Sequence, residues 1–159
     1  MFTFDIAATD KPALYRELLA ALDALTAGEA DPVANMANAS ALIAQYLPDL
    51  NWAGFYRLLG DTLVLGPFQG KAACIRIALG QGVCGTAAAT RTTQLVADVH
   101  AFPGHIACDA DSASELVVPI MRGGVLLGVL DLDSPTPARF DEDDARGVEA
   151  LAALLADRL

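Results

Sequence analysis

Apolar positions along the chain follow a helical period first, then a period of two. Leu14, Leu18, Leu22 and Leu25 form a stripe at helical spacing, widened by Tyr15 and Leu19. Asp10 is placed to cap this helix, Pro12 falls in its first turn, and Gly28 marks its end. A second helix runs from Asp31-Pro32 to the Leu47-Pro48 break. Its predicted inner face holds Val33, Met36, Ala37, Ile43, Ala44 and Leu47, with the small Ser40 among them.

From residue 51 the pattern alternates. Segments 51–59 and 62–65 flank a Gly60-Asp61 turn and predict a hairpin. Segment 72–78 predicts a strand with Ala73, Ile75 and Ile77 on one face and Cys74 and Arg76 on the other. Gly80-Gln81-Gly82 leads into a short helix over 83–90, and 93–97 reads as a strand. After a loop over 98–114, strands 115–121 and 125–133 pair across Arg122-Gly123-Gly124. A last helix starts at Phe140-Asp141-Glu142, with acids at its N-terminus and Arg158 at its C-terminus, as the helix dipole favours. The order predicts an α+β fold, helices at both ends packed on a central, largely antiparallel sheet. Residues 1–159 read as one domain without internal repeats.

Strand alternation also sorts the polar residues. Asp131 and Asp133 share one face, roughly 7 Å apart along the strand, while Leu130 and Leu132 take the other. The two aspartates either end a strand before Pro135 or form a negatively charged pocket floor that could hold an ammonium group. Glu115, opening its strand, is either a solvated end or a proton donor whose pKa rises in a dry pocket. Trp52 lies on one strand face with Gly54 and Tyr56. The two rings suit core packing, or an apolar or cationic group in an acidic pocket.

Charge narrows the partners. Ten Lys and Arg against 20 Asp and Glu give a formal net charge of −10, which argues against nucleic acid and against anionic membrane surfaces. The start lacks a basic region followed by an apolar run, so a cytoplasmic protein is expected. Three cysteines, Cys74, Cys84 and Cys108, include no C-x-x-C pair and do not suggest a structural disulfide framework. His100, His105 and Cys108 do not follow a usual zinc spacing, and no metal is expected there.

Cys108 stands apart because its loop is polar and acidic, with Asp109, Asp111 and Glu115 following. A thiolate is ordinarily favoured by nearby cations. An acidic setting suits a different chemistry, in which the target is activated rather than the thiol. Protonating a sulfoxide oxygen exposes its sulfur to attack and lets the oxygen leave. The attacking thiol becomes a sulfenic acid that a second cysteine can trap.

NWAGFY (51–56), GPFQGKAACIRI (66–77), GQGVCGTAA (80–88), DVHAFPGHIACD (98–109), SELVVPI (114–120), GVLDLDSP (128–135) and RFDEDD (139–144) together resemble the free methionine-(R)-sulfoxide reductases, a family of GAF-domain enzymes. The similarity spans about residues 30–155. It implies a single GAF-like catalytic domain that reduces free methionine sulfoxide. By position, it makes Cys108 the nucleophile, Cys74 its partner in an intramolecular disulfide, and Cys84 a further redox thiol. It gives Glu115, Asp131 and Asp133 to the substrate's polar groups and to sulfoxide activation, and Trp52 and Tyr56 to the methyl and sulfur end. Thioredoxin would reduce the disulfide, with no bound cofactor. Homodimerisation through the N-terminal helix is left open. Ala113 stands where the family pattern has asparagine, which bears on hydrogen bonding in the loop.

Two other classes fit a GAF domain. A sensor module would be expected beside a partner domain, for which 159 residues leave no room, and it gives the three matched cysteines no role. A redox switch would oxidise Cys108 once, without consuming sulfoxide.

Overall fold

The computed structural model describes residues 3–104 and 111–159. Helix α1 (Lys11–Thr26) is capped by Asp10, whose carboxylate accepts the Ala13 N–H at 3.0 Å. Helix α2 (Pro32–Tyr46) is capped by Asp31, which accepts from Val33 and Ala34. Each cap satisfies an end N–H that the helix itself cannot, worth about 1 kcal/mol.

The inner face of α2 differs from the predicted stripe. Val33 is 49 % exposed, and Ala37 and Ala44 also face outward, whereas Asn35, Ala39 and Leu42 are buried beside Met36, Ser40 and Ile43. The helix packs on the sheet and on α1 at once, so its buried face is rotated and broad. Asn35 can be buried because its amide donates to the Glu29 and Arg158 carbonyls.

Strands β1 (Trp52–Leu59), β2 (Thr62–Gly70), β3 (Arg76–Ala78), β4 (Gln94–Val96), β5 (Ser114–Arg122) and β6 (Val125–Ser134) form one antiparallel sheet ordered β3-β2-β1-β6-β5-β4. The short helix α3 (Gly82–Thr90) lies between β3 and β4 in sequence, and α4 (Glu142–Ala156) follows β6. Gly123 and Gly124, at φ 56° and 82°, make the tight β5–β6 turn that needs two left-handed residues. Strand β2 runs past its expected end because a register shift opposite Gly54 and Tyr56 absorbs the Gly66-Pro67 interruption.

The strand expected over 72–78 is only three residues long. Ile77 is buried, but Ile75 is 71 % exposed, so the predicted Ala73–Ile75–Ile77 face does not form. Segment 71–74 leaves the sheet, and the Lys71 carbonyl accepts the Trp52 indole N–H at 3.1 Å instead of joining a ladder.

The central strands are buried on both faces. Ala53, Phe55, Leu116, Val118, Leu130 and Leu132 pack against α1, α2 and α4. Trp52, Tyr56, Val117 and Val129 turn the other way, towards α3. The helical layer is pinned at α4. Asp141 and Asp144 form a capping box, and buried Asp144 also accepts from Tyr15, Lys11 and Arg139. Among the described residues, no helix is long and apolar enough to cross a membrane.

Helices α1 and α4 touch through a glycine. A Cβ on Gly147 would lie 2.1 Å from Tyr15 Cγ, inside the ring's contact radius. Gly147→Ala is therefore expected to destabilise the fold by about 1–3 kcal/mol through overpacking, read as a lower urea midpoint. An unchanged midpoint would show that the Tyr15 ring moves aside freely.

Candidate active site

The register of three strands gathers the acids. Glu115 on β5 lies directly opposite Asp133 on β6, and Asp131 lies opposite Gly54 on β1. Alternation sends all three carboxyl groups to the α3 side of the sheet. Gly54, opposite Asp131, lets aromatic side chains pack close to the strand. A Cβ there would meet Phe68 Cβ at 2.3 Å and Trp52 Cη2 at 2.8 Å, so the aromatic wall closes over glycine and nothing larger.

That wall is a stack. Trp52 lies 5.9 Å from Tyr56 and 5.2 Å from Phe68 between ring centroids, with interplanar angles of 21° and 13°. The pocket is lined by Trp52, Tyr56, Lys71, Ala72, Ala73, Ile77, Gln81, Gly82, Val83, Cys84, Ser112, Glu115, Asp131 and Asp133. Its cavity volume is about 40 Å³, which suits a compact ligand. At the rim, Lys71 pairs with Asp111, and Asn51 donates to Ser112 at 3.1 Å.

Burial governs the electrostatics. Glu115 and Asp131 are 7 % and 5 % exposed. Desolvation, reinforced by Asp131 and Asp133, pushes Glu115 well above the usual carboxylate range. Desolvation also pushes Asp131 up to about 7, against the lowering influence of the neighbouring Cys84 and Glu115. Two carboxyl groups this close share protons as a pair. Cys84 sits in the first turn of α3, where a helix N-terminus favours a thiolate. Burial and the Asp131 and Glu115 charges override that, and its thiol is raised well above its ordinary value. Tyr56 is raised by burial and by the same acids.

Six of the residues singled out in the sequence, Trp52, Tyr56, Cys84, Glu115, Asp131 and Asp133, line this one pocket. Cys74 is half-buried beside the lining residues Ala72 and Ala73 and is disulfide-bonded, whereas Cys84 is a free thiol. Cys108 and His105 lie outside the described residues. Ala113 keeps its loop in place through the main chain, its N–H donating to Ser134 and its carbonyl accepting from Val99. Phe68, Lys71, Gln81 and Ser112 were not singled out. Phe68 was recoverable by extending β2 through Gly66-Pro67, but the others are placed by chain turns that alternation does not encode. The ligand atoms of Cys84, Glu115 and Asp131 all lie within 4.8 Å of one another, a donor set able to hold a metal ion.

An antiparallel sheet with helices on one face and a small acidic pocket on the other defines the class, an α+β small-molecule domain. The family model described as the GAF domain matches residues 34–159. The free methionine-R-sulfoxide reductase of Escherichia coli strain K12 is 52 % identical, covering 92 % of this chain and 88 % of its own. That of Saccharomyces cerevisiae is 46 % identical, covering 92 % and 86 %. The X-ray structure of free methionine-R-sulfoxide reductase from Neisseria meningitidis in complex with its substrate superposes with a TM-score of 0.95 at 47 % identity, covering 99 % of this chain and 95 % of that one. The chain belongs to the GAF-domain family, in its free methionine-R-sulfoxide reductase branch.

The raised Asp131 pKa has a stability consequence. The unfolded chain loses this proton near 3.8, the folded protein near 7. Between those values the unfolded state binds fewer protons, so Asp131 costs progressively more stability as pH rises from about 4 to 7. Asp131→Asn is expected to flatten this part of the profile in urea unfolding from pH 4 to pH 8. Identical slopes for wild type and variant would contradict a protonated Asp131.

Proposed function

We propose that this chain reduces free methionine-(R)-sulfoxide to methionine. The carrying observation is a buried Glu115, its pKa raised well above the usual carboxylate range by desolvation, set beside Asp131 and beneath an aromatic wall. A neutral carboxylic acid can donate to a sulfoxide oxygen as it leaves; a solvated carboxylate at neutral pH cannot. The named activity of the E. coli and yeast relatives and the substrate complex of the Neisseria protein support this reading.

In the proposed cycle, Glu115 protonates the sulfoxide oxygen and Cys108 attacks the activated sulfur. The oxygen passes to Cys108, giving methionine and a cysteine sulfenic acid. Cys74 then attacks the Cys108 sulfur, releasing water and closing an intramolecular disulfide. The disulfide at Cys74 supports this step, with Cys108 the proposed partner. A dithiol such as thioredoxin exchanges with that disulfide and restores both thiols, so no bound cofactor is required. This cycle suits the reducing cytoplasm and uses the whole chain as one catalytic unit. Cys84, free and held protonated by burial and the acids around it, is a reserve thiol in this scheme.

Asp131 and Asp133 are assigned to the substrate ammonium. An arriving cation favours their ionised forms and offsets the repulsion between them. Trp52 and Tyr56 are assigned to the methyl-sulfur end, where aromatic faces suit a polarisable group. A free amino acid carries the ammonium that this acidic floor recognises, whereas a peptide-bound residue has none.

Chiral analysis of racemic methionine sulfoxide with dithiothreitol tests the reaction. Wild type is expected to consume the R form and spare the S form, and Cys108→Ser to consume neither. A folded wild type that leaves both forms untouched would sink the proposal, and stoichiometric thiol oxidation alone would favour a redox switch. Glu115→Gln is expected to lower kcat by roughly 10²–10⁴-fold with a smaller change in KM. A raised KM at normal kcat would instead make Glu115 a binding residue.

A further inference from the structure

We propose that Cys84, Glu115 and Asp131 form a binding site for a thiophilic divalent cation, with Zn²⁺ the best-suited ion. Three separate elements supply the donors: the first turn of α3, the start of β5 and the end of β6. Their ligand atoms all lie within 4.8 Å of one another, and Cys84 Sγ is 3.9 Å from Glu115 Oε1. A tetrahedral Zn²⁺ with bonds of about 2.0–2.3 Å holds its ligands roughly 3.5 Å apart. Small side-chain rotations close that difference.

Two independent features point to a cation here. Asp131 Oδ1 is buried without a hydrogen-bond partner among the described residues, on a side chain only 5 % exposed. Such an atom carries the full cost of lost hydration, which a metal bond would offset. The second feature is the charge balance of the pocket. Among the described lining residues Lys71 is the sole cation, and it pairs with Asp111 at the rim.

The donor set selects the metal. One thiolate and two carboxylates suit Zn²⁺, which accepts sulfur and oxygen in four-coordinate sites. Mg²⁺ and Ca²⁺ require about six or more oxygen ligands and gain little from sulfur. On binding, the Cys84 thiol proton and any carboxyl proton pass to water, and the metal takes their places. All three donors line the pocket, so bound Zn²⁺ would compete with a ligand for the acidic floor. Competition with methionine sulfoxide rests on the proposed reaction; the metal site itself does not.

The test uses protein with the Cys74 disulfide intact and no added thiol, because reductants chelate zinc. Co²⁺ titration is expected to give a thiolate-to-metal charge-transfer band saturating at one ion per chain, and Zn²⁺ to bleach it. Mg²⁺ and Ca²⁺ should not compete. Cys84→Ser should abolish the band, and Asp131→Asn should raise the Zn²⁺ Kd by roughly tenfold or more. Circular dichroism checks that both variants fold, and Glu115→Gln serves as an alternative if either does not. Absence of the band in wild type, or its persistence in folded Cys84→Ser, would overturn the site. Zinc binding by a chain that reduces no sulfoxide would leave the site standing and remove the proposed reaction. Sulfoxide reduction by a chain that takes up no Co²⁺ or Zn²⁺ would do the reverse.

Discussion

Three carboxyl groups meet on the interior face of a sheet, and much of this molecule follows from the cost of keeping them there. Glu115 faces Asp133 across one strand pair, an arrangement that repels when both are ionised. Asp131 adds a third acid lining the same pocket. Water would ease the conflict by screening it, but Glu115 and Asp131 are buried. The remaining route is protonation, and the raised pKa values of Glu115, Asp131, Tyr56 and Cys84 are local expressions of it. A pocket that retains protons near neutral pH is costly for folding and well suited to acid chemistry.

The rest of the fold makes that cost tolerable. The helical layer packs an apolar core on the opposite sheet face, including Leu18, Leu22, Phe55, Leu130 and Leu132, all nearly inaccessible. Each central strand therefore serves two interiors, with apolar side chains stabilising one while polar ones furnish the other. The buried polar cluster on the helical side is handled differently. Asp144 has Lys11, Tyr15 and Arg139 around it, so its carboxyl oxygens are met by donors from α1 and from the loop before α4.

The sequence made the fold class legible because its signals are local: Asp caps before Pro, a Gly-Gly turn, and clean alternation in β1 and β6. The same alternation placed Trp52 with Tyr56 and Asp131 with Asp133. Local pattern failed where packing is shared or the chain leaves the sheet. In α2, contact with both sheet and helix buried Asn35 and exposed Val33. Around Ile75, apolar alternation suggested a strand, yet Ile75 is exposed and the Lys71 carbonyl accepts from the indole instead. Cys84 was visible as a cysteine near a helix start, but its closeness to Glu115 and Asp131 depends on the approach of α3 to β5 and β6. No spacing along the chain records that.

Trp52 is the chain's lone tryptophan, and its position gives the molecule a built-in optical readout. Its ring stacks on Tyr56 and Phe68, and its N–H is tied to the Lys71 carbonyl, three residues before Cys74. Every indole photon from this protein therefore originates in the pocket wall. Ligand entry, metal binding and rearrangement of the Cys74 segment all act on the same fluorophore, without a second tryptophan to dilute the signal.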